Sequence, residues 1–305
     1  MYAIRSIRDG IALIEELDAT RFPKEEATEP PQGGTGPSQP VGLSVDSNPP
    51  VAGVVTDPAT GRIEMITAEA SAPVETTIAH VMVLYTPAAK TYLASQEGVT
   101  ASINLLISDT DSALGASGVQ QELKSAYEWA TTYQETGDPY QDWLALKNSA
   151  EIPALKAMAQ MRKDHNADVV VLLTKETSDG KKSSCGQADQ LDDLHNAECD
   201  SVFAAVPVNC AMNIYSFAHE IGHVMGAIHS QGFTAESNAW HTLMASPNDV
   251  CKWPSCPRIP HWSNPAVLFK KDSLPPESTG SNTANNASRM NEGRETVAGI
   301  SDKCG

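Results

Sequence analysis

Positive charge is scarce in this chain of 305 residues: 21 lysines and arginines stand against 38 aspartates and glutamates, a formal net charge of −17. Such an acidic balance repels a phosphate backbone, so no nucleic-acid partner is expected. Long apolar runs are missing as well. No stretch approaches the roughly 20 apolar residues of a helical membrane span, and Met1 to Asp18 lacks the continuous apolar core of a signal peptide. Either unconventional export or a natural start upstream of Met1 is therefore expected. Cysteine is absent from the first 184 residues and then appears six times, at Cys185, Cys199, Cys210, Cys251, Cys256 and Cys304. An even number with no C-x-x-C spacing suits disulfides in a secreted protein better than a second metal site, although six cysteines permit 15 pairings and spacing does not choose among them.

Residues 19 to 78 are rich in proline, glycine and threonine, with Pro30-Pro31-Gln32-Gly33-Gly34 and Pro49-Pro50 as the plainest breakers. Residues 1–78 read as a propeptide-like or linker segment. Within it, Val51 to Ile66 alternates like a hairpin about Asp57–Arg62. Beyond it the pattern mixes strand and helix. Ile78 to Tyr85 is a buried-strand run, Val99 to Leu114 has helical periodicity, Glu122 to Thr132 alternates like a strand, and Tyr140 to His165 reads as one helix. Ala167 to Thr174 is the clearest central strand. Ser201 to Val208 is expected at a sheet edge, because Pro207 cannot donate to a ladder, and such an edge could add an extended substrate backbone to the sheet.

The densest chemical signal is His219-Glu220-Ile221-Gly222-His223-Val224-Met225-Gly226-Ala227-Ile228-His229. On a helix expected from Asn213 to Met225, His219 and His223 lie four apart on one face, and Glu220 sits one position round. Gly226 supplies the residue type that ends a helix without a Cβ clash, so that the reversed chain can bring His229 back as a third ligand. Three imidazoles with an open fourth position suit catalytic zinc. Three histidines, a glutamate and a glycine at these offsets arise by chance with a probability on the order of 10⁻⁵ in such a chain.

The full pattern resembles the metzincin metalloproteases, whose H-E-x-x-H-x-x-G-x-x-H is followed by a methionine turn; Met244, in His241-Thr242-Leu243-Met244-Ala245-Ser246, stands where that turn falls. His80 to Pro87 is similar to the first strand of the reprolysin-like and peptidyl-Asp metallopeptidases. Cys256 to Ile259 with Trp262 to Pro265 is similar to their segment after the turn, and Asn285 to Asn291 with Arg294 to their terminal helix. The likeness spans about residues 79 to 304. It implies an α+β, zincin-like fold: a twisted, mostly parallel sheet with an antiparallel edge strand and long helices, and a small loop-rich C-terminal subdomain below the cleft. The implied division is a catalytic domain at 79–305, with an upper part at 79–229 and a lower part at 230–305. The resemblance also implies Cys185–Cys210 and Cys251–Cys256, which leaves Cys199 with Cys304. Two positions depart from the family pattern. Ser230 follows the third histidine where reprolysins carry aspartate, and Ser246 occupies the place of the tyrosine found two after the methionine in astacins and serralysins. No cysteine lies in residues 1–78, which excludes a matrixin-type cysteine switch; latency would need an aspartate such as Asp46 or Asp57, or steric cover.

The expected activity is zinc-dependent endopeptidase chemistry on a protein or peptide substrate, by a monomer. Zn2+ is held by His219, His223 and His229, with Glu220 as general base and acid and Met244 in support. The alternatives are a delivered protease toxin with the same chemistry and a zinc-containing binding module without turnover, against which the intact Glu220 argues. Other residues receive ordinary readings. His80, His165, His195, His241 and His261 are surface or core polar groups, and Asp189, Asp192, Asp193, Glu198 and Asp200 form a solvated loop whose spacing matches no EF-hand. The peptidyl-Asp resemblance implies a preference for an acidic side chain beside the cleaved bond, which Lys252 and Arg258 could favour, although basic residues near loops are usually just exposed.

Overall fold

The computed structural model of the chain describes residues 75–175, 184–246, 251 and 256–304, together with the backbone of four short strands nearer the N-terminus. The first two, β1 (Tyr2–Ile7) and β2 (Ile11–Glu16), pair antiparallel. A separate unit, Thr28–Glu75, contains β3 (Val54–Thr56) antiparallel to β4 (Ile63–Met65). That pairing falls within the hairpin-like stretch read from Val51 to Ile66. Its turn lies outside the described residues, as do Asp46, Asp57 and Lys252.

The larger unit is organised by a five-stranded sheet of order β6-β5-β7-β9-β8. Here β5 is Thr77–Tyr85, β6 Gln121–Ala130, β7 Val169–Thr174, β8 Gln187–Ala188 and β9 Phe203–Pro207. The first four strands in that order run parallel, while β8 is antiparallel to β9. Both faces are covered, which is why β7 is buried at every position. The chain is thus a mixed α+β protein with a mostly parallel sheet and an antiparallel edge strand. The proline-containing strand, however, is not that edge. Pro207 is the last residue of β9, where its missing N–H affects only the end of the ladder, and β8 pairs with Ala204 and Ala205 to close the other side. Gln187–Ala188 is the edge instead.

Alternating residues sort onto the two faces. Met82, Leu84, Val170, Leu172, Phe203 and Ala205 pack with Leu146 of α3 (Pro139–Lys147) and Met158 of α4 (Met158–Asp164). Val81, Val83, Val169, Val171, Leu173 and Val206 share a core with Leu93 of α1 (Pro87–Ala94) and with α2 (Val99–Ala116), which offers Ile103, Leu106, Ile107 and Leu114 at helical spacing. The helix read from Tyr140 to His165 is broken in two. Asn148 ends α3, and Ile152 is extended (φ −104°, ψ 109°) because Pro153 disfavours helical geometry in the residue before it.

The helix expected from Asn213 to Met225 is also shorter. After α5 (Val208–Asn213), Tyr215 adopts a left-handed conformation (φ 59°), so α6 begins afresh at Ser216 and runs to Val224. Beyond α6 the chain is loop-rich, apart from the two-residue strands β10 (Leu268–Phe269) and β11 (Glu277–Ser278) and a small cluster around Trp240. The last helix, α7 (Asn286–Ala298), does not stay with that cluster: Met290 and Val297 join the core that backs the sheet. Disulfides link Cys185 to Cys210 and Cys251 to Cys256, the two pairs the family resemblance implied, and Cys199 to Cys304, the pair left over.

His241 is buried beside the Cys251–Cys256 bridge, with its Nδ1 donating to the Cys256 carbonyl at 3.1 Å. Burial, then the nearby Arg258 charge, pushes its pKa down to about 4. An unfolded chain with an ordinary histidine pKa binds more protons between pH ~6.5 and ~4, so this contribution to stability is present above pH ~6.5 and is lost on acidification. The full effect is about 3 kcal/mol. In metal-depleted protein, His241→Gln is expected to flatten the fall of melting temperature with pH over that window; parallel curves for variant and parent would count against it.

Candidate metal centre

Helix α6 ends in a motif that determines where the third histidine goes. Gly226 takes φ 95°, its N–H donates to the His223 carbonyl at 3.0 Å, and Ala227 N–H reaches back to the Gly222 carbonyl at 2.8 Å. These are the two bonds of a Schellman cap. Glycine is needed twice over, since a Cβ there would also meet Leu194 Cδ2 at 2.5 Å. The chain then reverses, and Asn286 of α7 grips Ile228 with both ends of its amide. The Asn286 Oδ1 accepts from Ile228 N at 2.8 Å, and its Nδ2 donates to Ile228 O at 3.1 Å. Arg289 Nε donates to the Gly226 carbonyl at 2.9 Å. The terminal helix thereby sets the position of His229.

His219, His223 and His229 converge. The Nε2 atoms of His223 and His229 are 3.1 Å apart, and those of His229 and His219 are 3.0 Å apart. Such spacings resemble the ~3.3 Å expected between nitrogens bound to one tetrahedral ion. The other ring nitrogens decide the chemistry. His219 Nδ1 lies 2.7 Å from the Leu243 carbonyl, and His223 Nδ1 lies 2.7 Å from Gln190 Oε1 and 3.2 Å from the Ala227 carbonyl. All three partners are acceptors, so each Nδ1 must carry the proton and each Nε2 must present a lone pair. Burial, followed by the Arg258 charge, holds His219 well below the usual histidine pKa; burial, then His229, lowers His223 to about 3. Two neutral imidazoles that aim lone pairs at a common point beside a third ring fit a divalent cation, and their donor type fits zinc.

Glu220 follows His219 on α6 and is 6 % exposed. Gly186, just before β8, lies against it: a Cβ added there would overlap the Glu220 carboxylate. On the opposite side of the helix, Gly222 faces Met244 and Trp262. A Cβ at Gly222 would meet Trp262 Nε1 at 2.5 Å and Met244 Sδ at 3.0 Å. Met244 and Trp262 are fully buried, and the Leu243 carbonyl that fixes His219 comes from the same turn.

The remaining residues singled out in the sequence lie elsewhere. His80 neighbours Asp168, His165 stacks on Tyr127 with ring centroids 3.9 Å apart, and His195 pairs with Glu292 at the surface. His261 lies beside Phe269. Asp189 is buried on Lys147 at 2.7 Å, while Asp192, Asp193, Glu198 and Asp200 are exposed. Among the described residues, the only other grouping of metal-ligand type is His241 with the disulfide-bonded Cys251 and Cys256. Gly186, Gln190 and Asn286 were given no role from the sequence. Asn286 stood within the stretch likened to the family's terminal helix, whereas nothing local marks Gln190 as a partner of a histidine 33 positions away.

Two histidines and a glutamate on α6, with a third histidine returned to them beyond Gly226, make up the H-E-x-x-H arrangement known from metallopeptidases. The sequence model of metallo-peptidase family M12B, reprolysin-like, matches residues 75–270, and the chain belongs to that family. It is similar to a peptidyl-Asp metalloendopeptidase of Stenotrophomonas maltophilia (28% identical, over 66% of this chain and 48% of the relative) and to one of Xanthomonas campestris (26% identical, over 92% and 61%). The chain thus spans about half to three-fifths of the length of these curated relatives. A solved structure described as a chaperone–substrate complex shares the fold, with a TM-score of 0.56 at 15% identity over 73% of this chain and 35% of the other. Among the described residues, no helix is long and apolar enough to cross a membrane.

Gly186→Ala is expected to cost about 1–3 kcal/mol of stability with metal content unchanged, because the new methyl group and Glu220 compete for one space. Chemical denaturation beside metal analysis tests this; parent-like stability would mean the β8 approach yields freely.

Proposed function

We propose that this chain is a secreted zinc endopeptidase of the metzincin type, in which His219, His223 and His229 hold the ion and Glu220 is the general base. The observation that carries this is the paired tautomer constraint: two Nδ1–H groups are committed to fixed acceptors, so the Nε2 lone pairs of His219 and His223 are both turned to His229, where one cation can accept all three rings. Zinc bound there supplies electrophilic activation of water and of the scissile carbonyl. The protein's own residues do the rest. Glu220, shielded from bulk solvent on the helix that carries two ligands, accepts the attacking water's proton and returns it to the leaving amine. Met244 and Trp262 support the helix from below at Gly222.

An extended peptide would add to the sheet at β8, the antiparallel edge next to Gly186 and Glu220. Residues 79–229 would then form the upper wall of the cleft and 230–305 the lower, with residues 1–78 as a prosegment. The three disulfides suit an extracellular location, and a monomer is sufficient because every proposed ligand lies on one chain. The names of the relatives suggest cleavage beside aspartate. Arg258 supports that preference here. It donates through Nη1 to the Ile214 carbonyl at 2.9 Å, close before α6, and its charge is felt by His219, His223 and His241.

Glu220→Gln is expected to keep full metal content while losing about 10²–10⁴-fold or more in peptide hydrolysis, and a chelator should abolish cleavage of casein by the parent. A variant as active as the parent would remove Glu220 from the mechanism. Robust zinc binding without cleavage across varied peptides would instead select a binding module. For specificity, Arg258→Met should reduce the preference for an Asp-containing peptide over its Asn twin by about tenfold, the scale of one desolvated charge contact. An unchanged ratio of kcat/KM values would exclude Arg258 as the reader.

A further inference from the structure

Among the groups that accept from the Nδ1 atoms of His219 and His223, Gln190 differs in kind. His219 is oriented by a main-chain carbonyl, and Ala227 offers another to His223 at 3.2 Å, but the shorter contact to His223, 2.7 Å, comes from a side-chain amide. That amide has only one workable orientation. Its Nε2 faces the carbonyls of Leu191 and His223 at 3.4 and 3.5 Å, so the oxygen must be the atom turned to the imidazole. The backbone around it is fixed on both sides. Asp189 N–H donates to the Phe203 carbonyl at 2.9 Å, and its carboxylate accepts from Phe203 N at 2.8 Å and from Lys147 Nζ at 2.7 Å. Leu191 N–H donates to the His223 carbonyl at 3.1 Å. Gln190 is therefore a half-buried acceptor held in place before any ion arrives, two residues beyond the sheet edge at Ala188.

From this geometry we propose that Gln190 is a positioning residue for the metal centre: it fixes the ring plane and tautomer of His223, and through them sets the affinity for zinc. The proposal rests on His223 being a ligand. It assigns the role to a side chain, and a side chain can be exchanged without touching the ligands, the base or the cleft floor. Because the acceptor is a neutral amide, His223 is a weaker donor than it would be against a carboxylate.

The test uses the full chain and zinc itself, with the dissociation constant read by competition against a chromogenic chelator. Gln190→Met keeps the length and removes the acceptor. It is expected to weaken zinc binding about ten- to a hundredfold, toward the lower figure because the Ala227 carbonyl remains. Gln190→Glu restores a stronger acceptor and is expected to bind at least as tightly as the parent. Zinc affinity in Gln190→Met within twofold of the parent overturns the proposal. So does weaker binding by Gln190→Glu, and that arm stands alone if the methionine variant fails to fold. A merely structural role would lower the melting temperature of both zinc-free variants and leave their affinities in step with that loss. Failure of the ligand reading itself looks different: either the parent holds no zinc, or His223→Ala binds as tightly as the parent.

Discussion

His229 Nε2 lies within 3.1 Å of the Nε2 atoms of both His219 and His223, and three imidazoles so gathered form an arrangement that a protein does not reach by default. Neutral rings repel when their lone pairs face, and protonated rings repel more; burial has already pushed His219 and His223 far from accepting a proton. The convergence persists in the folded chain because the opposite edges of His219 and His223 are committed elsewhere. The Leu243 carbonyl and the Gln190 amide oxygen each accept a hydrogen bond from a particular Nδ1–H, and the freedom to rotate away is lost with it. The site is thus set from behind, by groups that never face the cleft, and the rest of the architecture serves to bring those groups to it.

They come from distant parts of the chain. The carbonyl on His219 belongs to the Met244 turn, which is held under α6 because Gly222 leaves room for the sulfur and for Trp262. Gln190 arrives with the antiparallel edge of the sheet. The loop that carries His229 is grasped by Asn286 and Arg289 of the last helix. A parallel sheet with helices on both faces supplies a rigid frame for this, since its central strand is buried throughout and cannot shift without opening both cores. Glu220 benefits in the same way. It lies between the helix that bears it and Gly186, so the proposed base has one place to be.

The portion of this that is legible in the sequence is the portion encoded locally. Histidines four apart, a glycine three further on and a histidine three beyond that specify the proposed ligands, helix and helix end together, because all depend on one helical repeat and one left-handed residue. Buried strands such as Val169–Thr174 are equally plain from their apolar runs. Where several residues compete, local pattern misleads. Pro153 divides an apparently continuous helix through its effect on Ile152. Tyr215 cuts α6 short in a conformation no propensity foretells, and Pro207 suggested an edge that the two-residue β8 in fact supplies. Two residues carry too little pattern to be seen. Gln190 is hidden for a deeper reason: its role depends on a contact with His223 that exists only once the sheet edge and α6 have met.

The same logic gives the cysteines a place in the argument beyond compartment. Cys185–Cys210 ties the segment that enters β8, and with it Gly186, to α5 immediately ahead of the histidine helix. Cys199–Cys304 closes a loop with a sequence separation of 105 and anchors the chain just beyond α7. In the chain-entropy account, a loop of about 100 residues removes on the order of 4–5 kcal/mol of unfolded-state freedom. That constraint acts on the helix whose Asn286 must hold Ile228 if His229 is to face the other two rings. The bridges therefore restrain the two segments that the proposed ligand set and base most depend on and that are furthest from it in sequence, which a local helical repeat has no means of restraining itself.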